Sequence, residues 1–141
     1  MTNQPDNEIL VYSRDENDGK LTYEDSVATN GTGGILSGSS GPPANITRQP
    51  PIGDPLASTG SVIVAGNCLL AVNAGSEDIS TFRIQSSSGI ELIGKVESGG
   101  TFPVSIAEKE GLVYVLNAGG NGHIQEYYLT LFNCSSNTVL S

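Results

Sequence analysis

Two stretches of the chain repeat each other at a fixed spacing, and this limits the fold more than any other feature of the sequence. Ser61-Val-Ile-Val-Ala-Gly-Asn-Cys-Leu-Leu-Ala-Val-Asn73-Ala-Gly75 aligns with Ser105-Ile-Ala-Glu-Lys-Glu-Gly-Leu-Val-Tyr-Val-Leu-Asn117-Ala-Gly119, 44 residues further on. The match continues with Ile79 three residues before Phe82 in one copy and Ile124 three before Tyr127 in the other, after one extra residue within Gly119 to His123. A partial third copy opens the chain. Asn3 precedes Ile9 and Tyr12 as Asn73 precedes Ile79 and Phe82, and Leu21 to Val27 lies over Ile90 to Val96 at an offset of 69. Units that recur every ~20–50 residues stack on their neighbours, each burying a face that it cannot bury alone.

Inside one unit the pattern predicts short strands over Ser61 to Val64, Leu69 to Asn73, Ile79 to Ile84 and Ile90 to Val96. Turn residues separate them at Gly66-Asn67, Gly75-Ser76 and Ser86-Ser-Ser-Gly89. Strands this short, with turn signals every ~8–12 residues, read as antiparallel sheet, and no helix of useful length is expected. Four strands in ~40–45 residues match a β-propeller blade. The expected fold is therefore all-β, a single partial β-propeller domain of about two and a half blades. It comprises a half blade over 2–30, an inserted loop over 31–60, a blade over 61–100 and a last blade over 101–141 whose C-terminal part is irregular. The inserted loop is dominated by Gly, Ser, Pro and Thr, which cannot bury enough apolar surface to form a layer.

Val72-Asn-Ala-Gly75, Gly99-Gly-Thr-Phe-Pro-Val-Ser105 and Val113-Tyr-Val-Leu-Asn-Ala-Gly-Gly120 resemble the lactonase-like seven-bladed β-propellers. That family contains 6-phosphogluconolactonases and the fungal carboxy-cis,cis-muconate cyclases. The resemblance runs from residue 2 to about residue 129. It implies lactone hydrolysis, or muconate lactonisation and cycloisomerisation, on a small carboxylated lactone or acid, without a cofactor or metal. Seven blades need roughly 300 residues; the chain is therefore expected to be a fragment or truncated product, completed by the missing blades or by self-association.

The chain carries a formal net charge of −9, with 6 Lys+Arg against 15 Asp+Glu. Scattered cations argue against a nucleic-acid partner, which would require clustered Lys and Arg. No stretch approaches the ~18 consecutive apolar residues of a bilayer-spanning helix, and no membrane partner is expected. The polar N-terminus does not read as a signal peptide, so either the chain is intracellular or Met1 is not the natural start.

For chemistry, the resemblance points to His123, the sole histidine, as a general base or carboxylate ligand. It also points to Arg83 and Arg14 as partners for a substrate carboxylate. The competing readings are a solvent-facing turn residue and solvated strand residues. Glu77-Asp78 and Asp15-Glu16 are expected at the surface, because neighbours on a strand point to opposite faces. A single histidine makes no metal site. Neither Gly-rich stretch has the sequence of a phosphate loop, and no serine-nucleophile elbow occurs.

Three sequons, Asn30-Gly-Thr32, Asn45-Ile-Thr47 and Asn133-Cys-Ser135, are candidate glycosylation sites, and they tilt the balance toward an extracellular location. Cys68 is expected as a small buried hydrophobe, and Cys134 is free to pair with a residue outside the chain; the sequence leaves the disulfide state of both and the redox compartment open. The second functional reading is a non-catalytic secreted propeller whose loops bind a protein or a glycan.

Overall fold

The computed structural model describes residues 1–34, 56, 58–85 and 89–134. Nine strands form three separate antiparallel sheets, with no closed barrel among the described residues. The first sheet pairs β1 (Glu8–Arg14) with β2 (Leu21–Ala28). The second is a meander of β3 (Val62–Ala65), β4 (Cys68–Asn73), β5 (Asp78–Gln85) and β6 (Gly89–Glu97). The third contains β7 (Pro103–Lys109), β8 (Leu112–Asn117) and β9 (His123–Tyr128), followed by one 3-10 turn, Leu129–Phe132.

The repeat seen in the sequence is a repeat of register. Ile9 sits opposite Val27 as Ile79 sits opposite Val96, and Tyr12 opposite Tyr23 as Phe82 opposite Leu92. Even the irregularity recurs, since β1 slips register between Val11 and Tyr12 and β5 between Thr81 and Phe82. A bulge adds one residue on one strand, here Glu24 in β2 and Ile93 in β6, and it leaves Tyr12 and Phe82 opposite equivalent partners. The environments differ, because Phe82 is buried and Tyr12 is half exposed against Tyr23. Asn3 departs from the repeat. Aligned with Asn73, it instead lies in a loop at φ 53°, with its side-chain amide bonded to the Gly34 backbone.

β4 explains how the sheets stack. Its sequence Cys-Leu-Leu-Ala-Val-Asn is apolar on both faces, as a strand covered on both sides must be. Alternate side chains divide between two cores. Cys68, Leu70 and Val72 pack toward Val104, Ile106, Val113 and Val115 of the third sheet, while Ala71 packs with Ile9 of the first sheet and with Phe82. Leu56 belongs to the larger core, so the C-terminal end of the expected inserted loop is anchored. The other end is tied down through Gly33 N–H to the Gln4 carbonyl. Residues 35–55 and 57 lie outside the described residues.

Cys68 is buried as expected, and neither cysteine is free. Cys68 and Cys134 are bonded to each other across 66 residues, with Cα atoms 5.8 Å apart, and both are buried. The bond pins the 3-10 turn against β4, where Leu129 and Phe132 seal the core between the second and third sheets. Nothing local in the sequence signals it, because the partners are brought together only when the sheets stack.

Closing a loop this long removes chain entropy from the unfolded state. The double variant Cys68→Ala/Cys134→Ala is expected to lose about 2–4 kcal/mol, measured by urea unfolding of oxidised wild type and variant at the same protein concentration.

Candidate functional site

The most developed polar site lies where the first two sheets meet. Asn73 ends β4 and is fully buried. Its Oδ1 accepts from Asn7 Nδ2 at 2.8 Å, and its Nδ2 donates to Asp78 Oδ1 at 2.6 Å and to Ser80 Oγ at 2.7 Å. Ser80 Oγ donates onward to the Thr29 carbonyl at 2.7 Å, and Thr29 Oγ1 donates to the Asn7 carbonyl at 3.0 Å. Asn7 Oδ1 in turn accepts from the Asn3 N–H at 2.8 Å. The loop after β2 can approach this closely because residue 31 is glycine; a Cβ there would overlap the Asn73 amide.

The same junction recurs one unit later with different chemistry. Thr29 N–H donates to the Asn7 carbonyl and Ser98 N–H to the Glu77 carbonyl, both at 2.9 Å; Gly75 N–H reaches the Thr32 carbonyl and Gly119 N–H the Thr101 carbonyl, also both at 2.9 Å. Gly100 replaces Gly31, and a Cβ there would overlap His123 and Asn117. Asn117 is buried like Asn73, and its Nδ2 donates to the Ser98 carbonyl at 3.0 Å. Its Oδ1 has no partner among the described residues. The cause lies in residue 77: where the first junction has the amide of Asn7, the second has the exposed carboxylate of Glu77, which has no hydrogen to give.

His123 belongs to this second junction. It opens β9 opposite Asn117, the place that Asp78 holds opposite Asn73. Its Nε2 lies 3.0 Å from the Gly99 carbonyl. A carbonyl only accepts, so Nε2 carries the hydrogen in that bond. At the first junction Asp78 cannot donate; it pairs with Lys95 at 2.8 Å, and Lys95 Nζ donates to the Asn30 carbonyl at 2.7 Å. Gly99 and Asn30 are equivalent turn residues, both at positive φ. Each junction thus clamps the same carbonyl, through Asp78 and Lys95 in one and through His123 in the other.

The structure does not gather the sequence candidates into one site. Arg83 is exposed near the end of β5, opposite Cys68 and Glu91, at the far end of its sheet from Asp78 and hence from the end that His123 occupies in its own unit. Arg14 is exposed at the end of β1, with its guanidinium beside the Gly19 turn. Of the glycosylation candidates, Asn30 and Asn133 are exposed and Asn45 lies outside the described residues. The surface reading of Glu77 and Asp78 holds for Glu77 alone, because Asp78 supports Asn73 and Lys95. Asp15 sits in the β1–β2 turn, where the N–H groups of Asn17 and Asp18 hold its carboxyl below the usual carboxylate range. Asn7 had no signal in the sequence beyond a polar residue two positions before an apolar one.

A cleft of about 330 Å³ opens between the first sheet and β6, lined among others by Tyr12, Ser13, Glu24, Asp25 and Ile90. Its charged lining residues are both carboxylates, and Ser13 Oγ is already donating to Glu24 at 2.6 Å. Such a lining disfavours an anionic substrate. No protein-family model, curated protein or solved structure matches this chain.

Tyr127 is a further tie between the second and third sheets. Its hydroxyl donates to the Glu97 carbonyl at 2.8 Å, and its ring meets Phe132 edge-on at 5.8 Å. Burial, and then the Glu97 charge, push its phenol above the ordinary value of 10.0. The protonated form is the one the fold favours, so its contribution is fully present below pH ~10 and is lost as pH rises through the raised value. Alkaline unfolding followed by circular dichroism is expected to show a shallower loss of stability for Tyr127→Phe than for wild type.

The two asparagines should separate in size of effect. Asn73→Ala removes three side-chain hydrogen bonds centred on a fully buried amide and is expected to cost about 2–3 kcal/mol. Asn117→Ala removes one bond together with an unpartnered oxygen, and is expected to cost about 1 kcal/mol or less. Paired denaturant melts check the difference.

Proposed function

We propose that the chain forms blades of a lactonase-like β-propeller that acts as a non-catalytic binding scaffold in an oxidising, extracellular setting. The single observation that carries this reading is the bond from His123 Nε2 to the Gly99 carbonyl. The sole histidine does the work that Asp78 and Lys95 do at the preceding junction, which is to hold one unit against the next. Its proton-bearing nitrogen is engaged by a backbone oxygen, and neither arginine shares its end of the strands. The buried disulfide favours an oxidising compartment, because such bonds persist where thiols are not kept reduced.

The propeller part of the reading draws on the four-stranded meander, the repeated register and the stacked junctions. It also draws on the outward face of the third sheet, where Leu116 and Ile124 sit opposite each other, 42% and 65% exposed. A further sheet packed there would cover them as the third sheet covers Leu70 and Val72. The lactonase reading retains the support of the resemblance alone.

The test is an assay of the purified, oxidised chain against a panel of small carboxylated lactones. The expected result is hydrolysis at the buffer rate, with His123→Ala lowering stability by about 0.5–1 kcal/mol and leaving that rate unchanged. Turnover abolished by His123→Ala in a chain that keeps its circular dichroism spectrum would overturn the proposal.

A further inference from the structure

We propose that Asn30 is an N-linked glycosylation site, accepting an oligosaccharide from a lipid-diphosphate donor. The inference rests on the extracellular reading above and adds a modified residue to it.

The turn that carries Asn30 is present twice. Asn30-Gly-Thr32 and Gly99-Gly-Thr101 stand 69 residues apart, and each performs the same packing tasks: a clamped carbonyl at the first residue, a glycine under the buried asparagine at the second, and a threonine carbonyl accepting a glycine N–H at the third. The second turn does all of this with glycine in first place, at φ 73°. The first uses asparagine at φ 56°, in the left-handed region where glycine is the least strained residue and asparagine the best tolerated of the others.

Tolerance accounts for the presence of asparagine and leaves its side chain without a role in the fold. Among the described residues the Asn30 amide makes no hydrogen bond, since only the backbone carbonyl is engaged, and the residue is exposed. Thr32, which completes the acceptor pattern, is exposed as well. The glycine between them is required by Asn73 for an independent reason. The disulfide is a second, separate observation: it places the chain in the compartment class in which N-glycans are added. Asn133 competes poorly, because the middle residue of its sequon is Cys134, buried and held in the disulfide.

In the transfer, the Asn30 Nδ2 forms a bond to the anomeric carbon of the sugar while that carbon's bond to the diphosphate oxygen breaks. The amide gives up one proton, the lipid diphosphate leaves with the electron pair of the broken bond, and nothing is oxidised or reduced. The glycan then projects from the junction of the first two sheets, beside Lys95, without displacing a buried group.

The test is expression of the full chain with a secretion leader in eukaryotic cells, followed by peptide mapping by mass spectrometry with and without amidase deglycosylation. The thiol state is read in the same experiment. The expected result is an occupied Asn30 and an intact Cys68–Cys134 bond, with the glycan lost in Asn30→Gly and Thr32→Ala and kept in Thr32→Ser. Asn30→Gly copies the turn at Gly99, so its melting point should match that of enzymatically deglycosylated wild type, and loss of the glycan there is not a failure to fold. A formed disulfide with Asn30 bare, or with sugar on Asn133 alone, overturns this proposal and leaves the scaffold reading standing. Free thiols with Asn30 occupied support the site and overturn the oxidising-compartment reading, and free thiols with Asn30 bare overturn both.

Discussion

The buried amide of Asn73 is the constraint on which the arrangement of the first two sheets depends. A two-stranded hairpin such as β1–β2 is marginal in water on its own, and its contribution to the smaller core is chiefly Ile9, with Val27 partly buried beside it. Apolar contact of that extent holds the hairpin near the second sheet without fixing its position, because the attraction has no direction. Asn73 supplies the direction. Its partners come from the loop before β1 and from β5, and Ser80 extends the chain of bonds to Thr29 beyond β2. Sliding one sheet by a residue would leave several buried polar atoms without partners, at a cost of about 1–3 kcal/mol for each. The network therefore selects one stacking among the many that the apolar faces alone would allow.

How much of this was legible in the sequence follows from the range over which each signal acts. The strands of the second sheet were expected at Ser61 to Val64, Leu69 to Asn73, Ile79 to Ile84 and Ile90 to Val96, and they lie within a residue or so of those bounds. Alternation and turn residues are local, and a repeat lets one unit vouch for another. The residues aligned along the chain occupy equivalent positions in the ladders, Ile9 opposite Val27 and Ile79 opposite Val96. The alignment failed at Asn3, where the aligned residue has no strand to end and is bent back onto Gly34. The sequence was silent on Asn7 and on the bond between Cys68 and Cys134, and it placed at the surface an Asp78 that is half-buried against Asn73 and Lys95. Each of these is a contact between segments far apart in the chain, made by residue types that are equally common in solvated turns. His123 does open the third strand of its unit, but the aromatic neighbours that singled out Arg14 and Arg83 carry no information on which end of the sheet those side chains occupy.

The disulfide and the asparagine act on opposite faces of the same strand. Cys68, with Leu70 and Val72, looks toward the third sheet, and Ala71 and Asn73 look toward the first. One strand therefore carries both couplings: a covalent one, which acts mostly by restricting the unfolded chain, and a polar one, which acts in the folded state by penalising misalignment. The two are independent in mechanism. Reduction would raise the entropy of the unfolded ensemble without touching the first junction, whereas loss of the asparagine would loosen that junction with the covalent link intact.

The exchange of Asp78 for His123 at equivalent positions shows what the junction requires. The constant element is a backbone carbonyl at a left-handed turn residue, Asn30 in one case and Gly99 in the other, turned toward the first residue of the third strand of the next unit. That oxygen needs a donor. A carboxylate cannot supply one, so Asp78 serves by holding Lys95, whose strand is the fourth of its sheet. The third sheet contains three strands among the described residues, and at its junction His123 stands where Asp78 stands in the second. An imidazole in the aspartate's place donates directly and makes the intermediary unnecessary. Histidine at 123 therefore has a packing role at its own junction. The same logic accounts for the unpartnered oxygen of Asn117, since the second junction keeps the asparagine while Glu77 has replaced the amide that would have faced it.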